Sequence, residues 1–398
     1  MRDLTIGYEH NVWGMKYMVH VLQIMVGTCS FGGAEQFALS YYEHMDRTKI
    51  QYDFLFLSRN VLMTVNNSCL KESRIYEIGT WNKNNNFLSY IKTIKRVIEY
   101  LRENRYDIVH INSGIKKVEI CCLIAARISG MNVRIAHSHT SKPVSRCLKE
   151  SVLDKLKAAL VRSLATDYFA CSKAAGVYLF GCKGIRSKKF RIIKNAIDLK
   201  QYQYNKEKDM LIRQREKVGG ELIFGHVGRF VEVKNQLFLI DVFKIIHNQL
   251  PDAQLWMIGD GELFDTVQHY IAKCNLSKHV RLYGERNDVF ELMQSMDALI
   301  FPSKFEGLSM VVVESQAAGM NTFVSDSISK EHKLSSHIWF LSLDKGPEYW
   351  SAFIIEKMDG YKKRTEIHEL ADNGYDIQAA SVELQNYYLS RVGTKHEK

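Results

Sequence analysis

The stretch FPSKFEGLSMVVVESQAAG, residues 301–319, sets two carboxylates, Glu306 and Glu314, around an apolar run that lies between a proline turn and a glycine. DALIFPS (297–303) is short, apolar and closed by proline, as a buried strand is. LSMVVVESQAA (308–318) is long enough for a helix, and burial would override the poor helix propensity of its three consecutive valines. A buried strand that runs through a loop into a buried helix is half of a parallel βα unit. Glu306 then belongs to the loop, and Glu314 lies a turn or so inside the helix.

The same alternation extends in both directions. Upstream, VHVLQIM, YDFLFLS, YDIVHIN, VRIAHSH, DYFACS and FRIIKNA read as strands, with helical patterns such as SYIKTIKRVIEYLRENR and VEICCLIAARISG between them. LIFGHVG, QLWMIGDG, VRLYGER, DALIFPS and NTFVSD repeat the pattern after residue 220. Between the two series, YQYNKEKDMLIRQREKVGG (202–220) is polar and ends in Gly219-Gly220, as a boundary does. A chain of 398 residues exceeds one ordinary core. The expected organisation is α/β, two doubly wound parallel domains with a cleft between them. An extension covers 1–17, a first domain 18–200, a linker 201–220, a second domain 221–375, and a C-terminal helix over 376–398 that returns to the first domain. Residues 1–17 have no clear pattern and read as a tail, or as sequence upstream of a start at Met18.

Residues 1–200 carry 31 lysines and arginines against 16 aspartates and glutamates, a net +15, while the remainder is mildly acidic at −5. A basic half suits an anionic partner such as a phosphate, a nucleic acid or an acidic lipid surface, although any single cluster, RSKKFRIIK for instance, also serves as a solvated face. Nucleic acid is disfavoured, because no stacking aromatics interleave with the basic clusters. Eight cysteines without Cys-x-x-Cys or zinc spacing read as reduced, structural thiols of a cytosolic protein. KYMVHVLQIMVGTCS has the charge-then-apolar order of a signal peptide, but it leads into a glycine loop and reads as the first strand. No apolar run approaches the roughly 20 residues of a membrane span, so any membrane association is expected to be peripheral.

Open parallel sheets bind ligands beyond the carboxyl ends of their strands, so chemistry is sought in those loops. GTCSFGGAEQ follows the first strand, and Gly32 and Gly33 allow close backbone approach to an anion at a helix N-terminus. The Gly-x-Gly-x-x-Gly spacing is absent, and a double glycine is also a plain tight turn. In HVGRFVEVKNQ, Arg229 ends a strand and Lys234 starts the next helix, so both cations can converge on a diphosphate; the alternative pairs Arg229 with Glu232 and leaves Lys234 solvated. The amides of Leu308 and Ser309 can face a phosphate. Two acids beside an anion repel it, so Glu306 and Glu314 better suit hydroxyls on two sugars, unless they are a helix-dipole contact and a surface ion pair. His139 ends another strand and would point into the cleft, with structural histidine as the bland reading. IGDGEL holds Gly259 and Gly261 in a turn that would let a nucleotide lie close, with Asp260 as a possible helix N-cap. No Asp-x-Asp occurs, so no metal–diphosphate clamp is evident and no metal or cofactor is expected.

These motifs, in this order, resemble the GT-B glycosyltransferases of the retaining family 4 type, which assemble bacterial capsule, exopolysaccharide and lipopolysaccharide. The resemblance covers roughly residues 18–390, and its most specific element is the pair Glu306 and Glu314, separated by seven residues. It implies two Rossmann-like domains facing across a cleft. Arg229 and Lys234 would hold the donor diphosphate, Glu314 the ribose hydroxyls and Glu306 the donor sugar. Leu308 and Ser309 amides would lie near the phosphates, Gly32 and Gly33 under the diphosphate, His139 near the anomeric centre and Arg286 near the base. The expected reaction is metal-independent retaining transfer of a hexose or N-acetylhexosamine from a UDP-linked donor to a polyprenyl diphosphate-linked saccharide. The expected location is cytoplasmic, on the anionic inner face of the plasma membrane. A nucleotide-sugar epimerase of the same fold is the rival reading. Two departures stand out: Asn235 replaces the glycine common after the lysine, and Asn195-Ala196 replaces Asn-Gly.

Overall fold

The computed structural model describes residues 18–27, 33–59, 73–81, 87–140, 151–363 and 367–393. They group into two compact units. One is drawn from Met1–His137, Ala159–Tyr168 and Ser381–Lys398, the other from Ser138–Ala158 and Phe169–Ala380.

The first sheet contains β1 (Val19–Met25), β2 (Ile50–Phe56), β3 (Ile75–Glu77), β4 (Ile108–Asn112), β5 (Val133–Ser138), β6 (Asp167–Ala170) and β7 (Phe190–Ile192), in the order β3-β2-β1-β4-β5-β6-β7. Its connections carry α1 (Gly33–Glu43), α2 (Phe87–Glu103), α3 (Lys116–Ile128), α4 (Val152–Leu164) and α5 (Lys173–Gly184). Short α6 (Leu199–Tyr202) and α7 (Lys206–Arg215) lead to the second sheet. Its strands are β8 (Ile223–Val227), β9 (Gln254–Ile258), β10 (Val280–Leu282), β11 (Ala298–Phe301), β12 (Asn321–Ser325) and β13 (Ile338–Leu341), ordered β10-β9-β8-β11-β12-β13. Helices α8 (Gln236–Gln249), α9 (Phe264–Lys273), α10 (Val289–Ser295), α11 (Met310–Ala317), α12 (Gly346–Met358), α13 (His368–Asp372) and α14 (Ile377–Gly393) complete the chain.

Each sheet has the doubly wound order, two windings that start from one central strand and run outward in opposite directions. In the second unit the two faces have separate cores, and strand periodicity divides residues between them. Phe224, Leu255, Met257, Ala298 and Ile300 enter one cluster with Leu239, Phe243 and Trp350. Their neighbours Ile223, Trp256, Ile258, Leu299 and Phe301 enter the other, with Leu292, Met296 and Val312. Burial on both faces is why these strands read as continuous apolar runs instead of alternating ones.

Two edge strands, β3 and β13, have no counterpart among the sequence-based strands. β3 is three residues long and only partly buried, too little apolar sequence for a periodicity to register. The polar stretch 202–220 also differs from a plain linker, because α7 occupies its middle. Arg213 explains its placement: the guanidinium bonds Asp209 at 2.8 Å, Asp297 at 3.1 Å and the carbonyls of Gly219, Glu221 and Ser295. One fork of donors thus ties α7 to the start of β8 and the end of α10, a long-range partnership that local polarity conceals.

The C-terminal helix α14 is held in the first unit by polar contacts. Gln385 accepts from the Asp46 amide at 2.7 Å, Ser381 donates to the His44 carbonyl at 3.1 Å, and Arg391 and the Tyr387 hydroxyl both reach Asp167. Tyr388 is fully buried, its hydroxyl 2.7 Å from Nδ1 of His110 and 3.1 Å from the Tyr52 hydroxyl. Removing a buried hydroxyl strands both neighbours. Tyr388→Phe is therefore expected to cost about 1–3 kcal/mol, read as a lower urea midpoint with unchanged slope.

Candidate active site

Strands β8 and β11 are hydrogen-bonded neighbours, paired at Phe224 with Ala298 and at Gly225 with Leu299, and the strand order reverses between them. Connections leave these two strands for opposite faces, so the space beyond their carboxyl ends is the ligand crevice of a doubly wound sheet. Two loops line it, Gly228–Asn235 after β8 and 302–309 after β11. They are joined to each other: the Lys304 amide donates to the Val233 carbonyl at 2.8 Å, Asn235 Nδ2 donates to the Pro302 carbonyl at 3.2 Å, and Lys304 pairs with Glu232. Asn235 has φ 60° and ψ 44°, the left-handed conformation for which glycine is the usual choice. Asparagine is among the non-glycine residues that tolerate it best, so the substitution keeps the turn and adds a side-chain bond across it.

This turn delivers Lys234 to Glu306. Their charged atoms are 2.7 Å apart, each side chain is about 15% exposed, and the ammonium also lies 4.6 Å from the Phe301 ring centroid. The lysine is therefore paired, not solvated. Arg229 stands exposed one residue past Gly228, its carbonyl fixed by Gln236 Nε2 at 2.9 Å. Glu232, the local carboxylate weighed as a partner for Arg229, is paired with Lys304. The structure thus brings Lys234 and Glu306 together and hangs Arg229 on the same loop.

Glu314 lies one turn inside α11, and burial pushes its carboxyl up to about 7, partly offset by a hydrogen bond from the Tyr202 hydroxyl. Burial and the neighbouring Glu314 raise the Tyr202 phenol above its ordinary value, so it stays a donor. Leu308 packs its side chain against the cluster of Val313, Leu334, Leu370 and Tyr375. The Ser309 amide requires a correction. It donates to His332 Nε2 at 2.8 Å, so in this structure it is not left over for a phosphate.

Gly259 has φ +129°, and a Cβ there would sit 2.1 Å from the Gly228 carbonyl oxygen. The glycine is thus required first by the close packing of the loops after β8 and β9, bonded through Gly228 N to Ile258 O and Phe230 N to Asp260 O. Asp260 is not a helix cap: α9 is preceded by Leu263, and Asp260 Oδ1 accepts from the Gly261 amide at 2.7 Å. Arg286 places both arms of its fork on Asp288, at 2.7 and 2.6 Å.

His139 follows the last residue of β5, half-buried, and desolvation brings its imidazole down to about 3, so the ring is neutral near pH 7. Gly33 opens α1, with nothing within 4 Å of a Cβ built on it. Gly32 lies outside the described residues. Tyr202 and His332 were missed from sequence, since neither stands near Glu314 or Ser309 in the chain and no local spacing announces them. Among the described residues, no three histidine, cysteine or acidic side chains come together as metal ligands, and no helix is long and apolar enough to cross a membrane.

Comparison with known proteins bears on the whole chain. Residues 31–201 match the family described as Glycosyltransferase Family 4, and residues 207–336 match Glycosyl transferases group 1. EpsF of Bacillus subtilis (strain 168), named a glycosyltransferase, is 30% identical over 388 residues, 96% of this chain and 99% of its own. The Escherichia coli UDP-Gal:alpha-D-GlcNAc-diphosphoundecaprenol alpha-1,3-galactosyltransferase is 29% identical over 269 residues, 64% of this chain and 66% of its own. Among solved structures, Anabaena HepE in complex with UDP superposes with a TM-score of 0.67 at 18% identity, over 96% of this chain and 99% of that one. With both sheets in doubly wound order and a relative matched end to end, the chain belongs to the glycosyltransferases of the family 4 and group 1 type, built from two Rossmann-like domains of the GT-B fold.

Proposed function

We propose that this glycosyltransferase moves a hexose or N-acetylhexosamine from a UDP-sugar to a polyprenyl diphosphate-linked saccharide, with retention of anomeric configuration and without a metal ion. The observation that carries the reading is the Lys234–Glu306 pair at the β8/β11 reversal, with Arg229 on the same loop and Glu314 on the helix beyond. A diphosphate entering there meets two cations supplied by the chain, which stabilise the charge that grows as it departs. Glu306 holds the ammonium in place in the absence of donor and is free to accept sugar hydroxyls once a phosphate shares that cation. Glu314 accepts the ribose hydroxyls. A neutral His139 contacts the donor sugar by hydrogen bonding rather than by charge. Arg286 stacks near the base while Asp288 holds its fork.

In the transfer step the bond between the anomeric carbon and the phosphate oxygen breaks. The acceptor oxygen bonds the same face of that carbon, and its proton passes to the departing phosphate. Neither glutamate is a nucleophile under this scheme, which sets it apart from two-carboxylate glycosidases. The acceptor class is supported by the Escherichia coli relative, whose name contains a diphosphoundecaprenol acceptor and UDP-Gal, and the base by HepE, solved with UDP.

The membrane contact is assigned to the first half of the chain, at an anionic bilayer surface facing the cytoplasm. On α4, Ala158, Val161 and Leu164 are buried, while Val152, Leu153, Leu156 and Leu160 form a second apolar stripe that is exposed, Val152 to 74%. Lys155 and Arg162 flank that stripe, and α2 repeats the device with exposed Phe87, Leu88 and Ile91 beside Lys92 and Lys95. Apolar residues on one face with lysines and arginines beside them suit the boundary of an anionic lipid layer.

Three outcomes test the proposal. Arg229→Ala and Glu314→Ala should fold normally and lose transfer, with UDP binding weakened roughly tenfold to a hundredfold by calorimetry; full transfer by both removes the site, and conversion of UDP-N-acetylglucosamine without acceptor favours the epimerase. Ionised Glu314 accepts ribose hydroxyls better, so UDP affinity should rise with pH through about 7 and lose that limb in Glu314→Gln. The sign for stability is opposite. A folded-state value above the ordinary 4.5 contributes stability below that value and loses it as pH rises through about 7. Leu156→Glu with Leu160→Glu should weaken sedimentation with phosphatidylglycerol vesicles by about tenfold or more without changing UDP affinity.

A further inference from the structure

His332 lies in the connection between β12 and β13, and none of the donor contacts assigned above involves it. It is fully buried. Both ring nitrogens are engaged: Nδ1 is 2.8 Å from the Ser329 carbonyl oxygen, and Nε2 is 2.8 Å from the Ser309 backbone nitrogen. A carbonyl only accepts and an amide N–H only donates, so the proton sits on Nδ1 and Nε2 offers a lone pair. Only the neutral ring satisfies both partners. Protonation would set an N–H against the Ser309 N–H, across from a Glu306 carboxylate and next in sequence to Glu331.

A second residue ties the same connection to the other end of α11. Gln316 Nε2 donates to the His332 carbonyl at 3.0 Å and to the Val312 carbonyl at 2.8 Å. Its Oε1 accepts from the Leu334 amide at 3.2 Å and the Ser335 hydroxyl at 3.1 Å. Helix α11 is eight residues long, and Ser309, the residue before its first turn, makes no side-chain cap bond. Its N-terminal end is capped instead from a distance, by the imidazole, and its last turn by an amide contact to the same loop. The 302–309 loop is attached at one end to the post-β8 turn, through Lys304 and Pro302, and at the other to His332.

We propose that His332 is a positioning residue for the donor site, holding Ser309 so that Glu306 and Glu314 keep their spacing. The proposal rests on the donor reading above. It makes the β12–β13 connection part of the recognition apparatus without contact to the donor. Its signature is a selective loss: the Ser309 bond is the one that matters, and the Ser329 bond orients the ring that makes it.

Two substitutions separate these bonds. In His332→Gln the side-chain oxygen reaches the place of Nε2 and can accept from Ser309, whereas in His332→Asn the shorter amide reaches only the place of Nδ1. Backbone hydrogen exchange over residues 302–314 and UDP binding by calorimetry are measured on the full chain for both. His332→Asn should accelerate exchange in that segment and weaken UDP binding about tenfold, while His332→Gln recovers most of both. Equal UDP affinity in the wild type and both variants overturns the proposal, as does tighter binding by His332→Asn, which would make Ser309 a phosphate ligand that His332 withholds to no benefit. Wild-type protein that binds no UDP would refute the donor reading instead, and the exchange pattern would still decide whether His332 holds the segment.

Discussion

The reversal of strand order between β8 and β11 is the constraint on which the site depends. Parallel strands require long crossovers, and crossovers of one hand pass to one face when the sheet winds one way and to the other when it winds back. Where the winding of this sheet reverses, two adjacent strands release their chains to opposite faces and open a crevice between their loops. The cores above and below β8 and β11 hold this geometry, since alternate residues of the same strands enter separate clusters. Rigid strands thus deliver loop residues to a fixed place, and the loops themselves are joined across the gap by the Lys304 and Asn235 bonds.

Charge balance within the crevice follows from that geometry. Lys234 and Glu306 are mostly shielded from water, where an unpaired ammonium would be costly, and their ion pair offsets that desolvation. Under the proposed function, an arriving diphosphate would not need to desolvate the lysine afresh; it would share a cation already stripped of most of its water. Glu314 answers the same desolvation differently. Burial raises its carboxyl to about 7 despite the hydrogen bond from the Tyr202 phenol, while Glu306 faces the Lys234 ammonium. Two glutamates with seven residues between them on one strand–loop–helix unit therefore have different electrostatic environments, which the proposed function puts to use in contacts to two different sugars.

Much of this arrangement was legible in the amino-acid order. The β8 and β11 runs were apolar enough to mark buried strands, Arg229 and Lys234 stood at the expected junction, and the position of Glu314 one turn into its helix follows from where FPSKFEGLS stops being strand. The reading went astray wherever a polar group chose a distant partner. The Ser309 amide took a histidine 23 residues downstream, and the charged stretch 202–220 folded as α7 because Arg213 found Asp297. Short edge strands such as β3 escaped because three half-exposed residues carry no periodic signal.

The order of residues alone determined the alternation of strands and helices, the identity of the charged groups at the strand ends and the family to which the chain belongs, because apolar periodicity and local spacing are properties of neighbouring residues. Tertiary structure decided which of those groups are paired: Lys234 with Glu306, Glu314 with Tyr202, Ser309 with His332. Pairing depends on burial, and burial is settled only when segments far apart in the chain close on one another and remove the water that would otherwise solvate each group by itself.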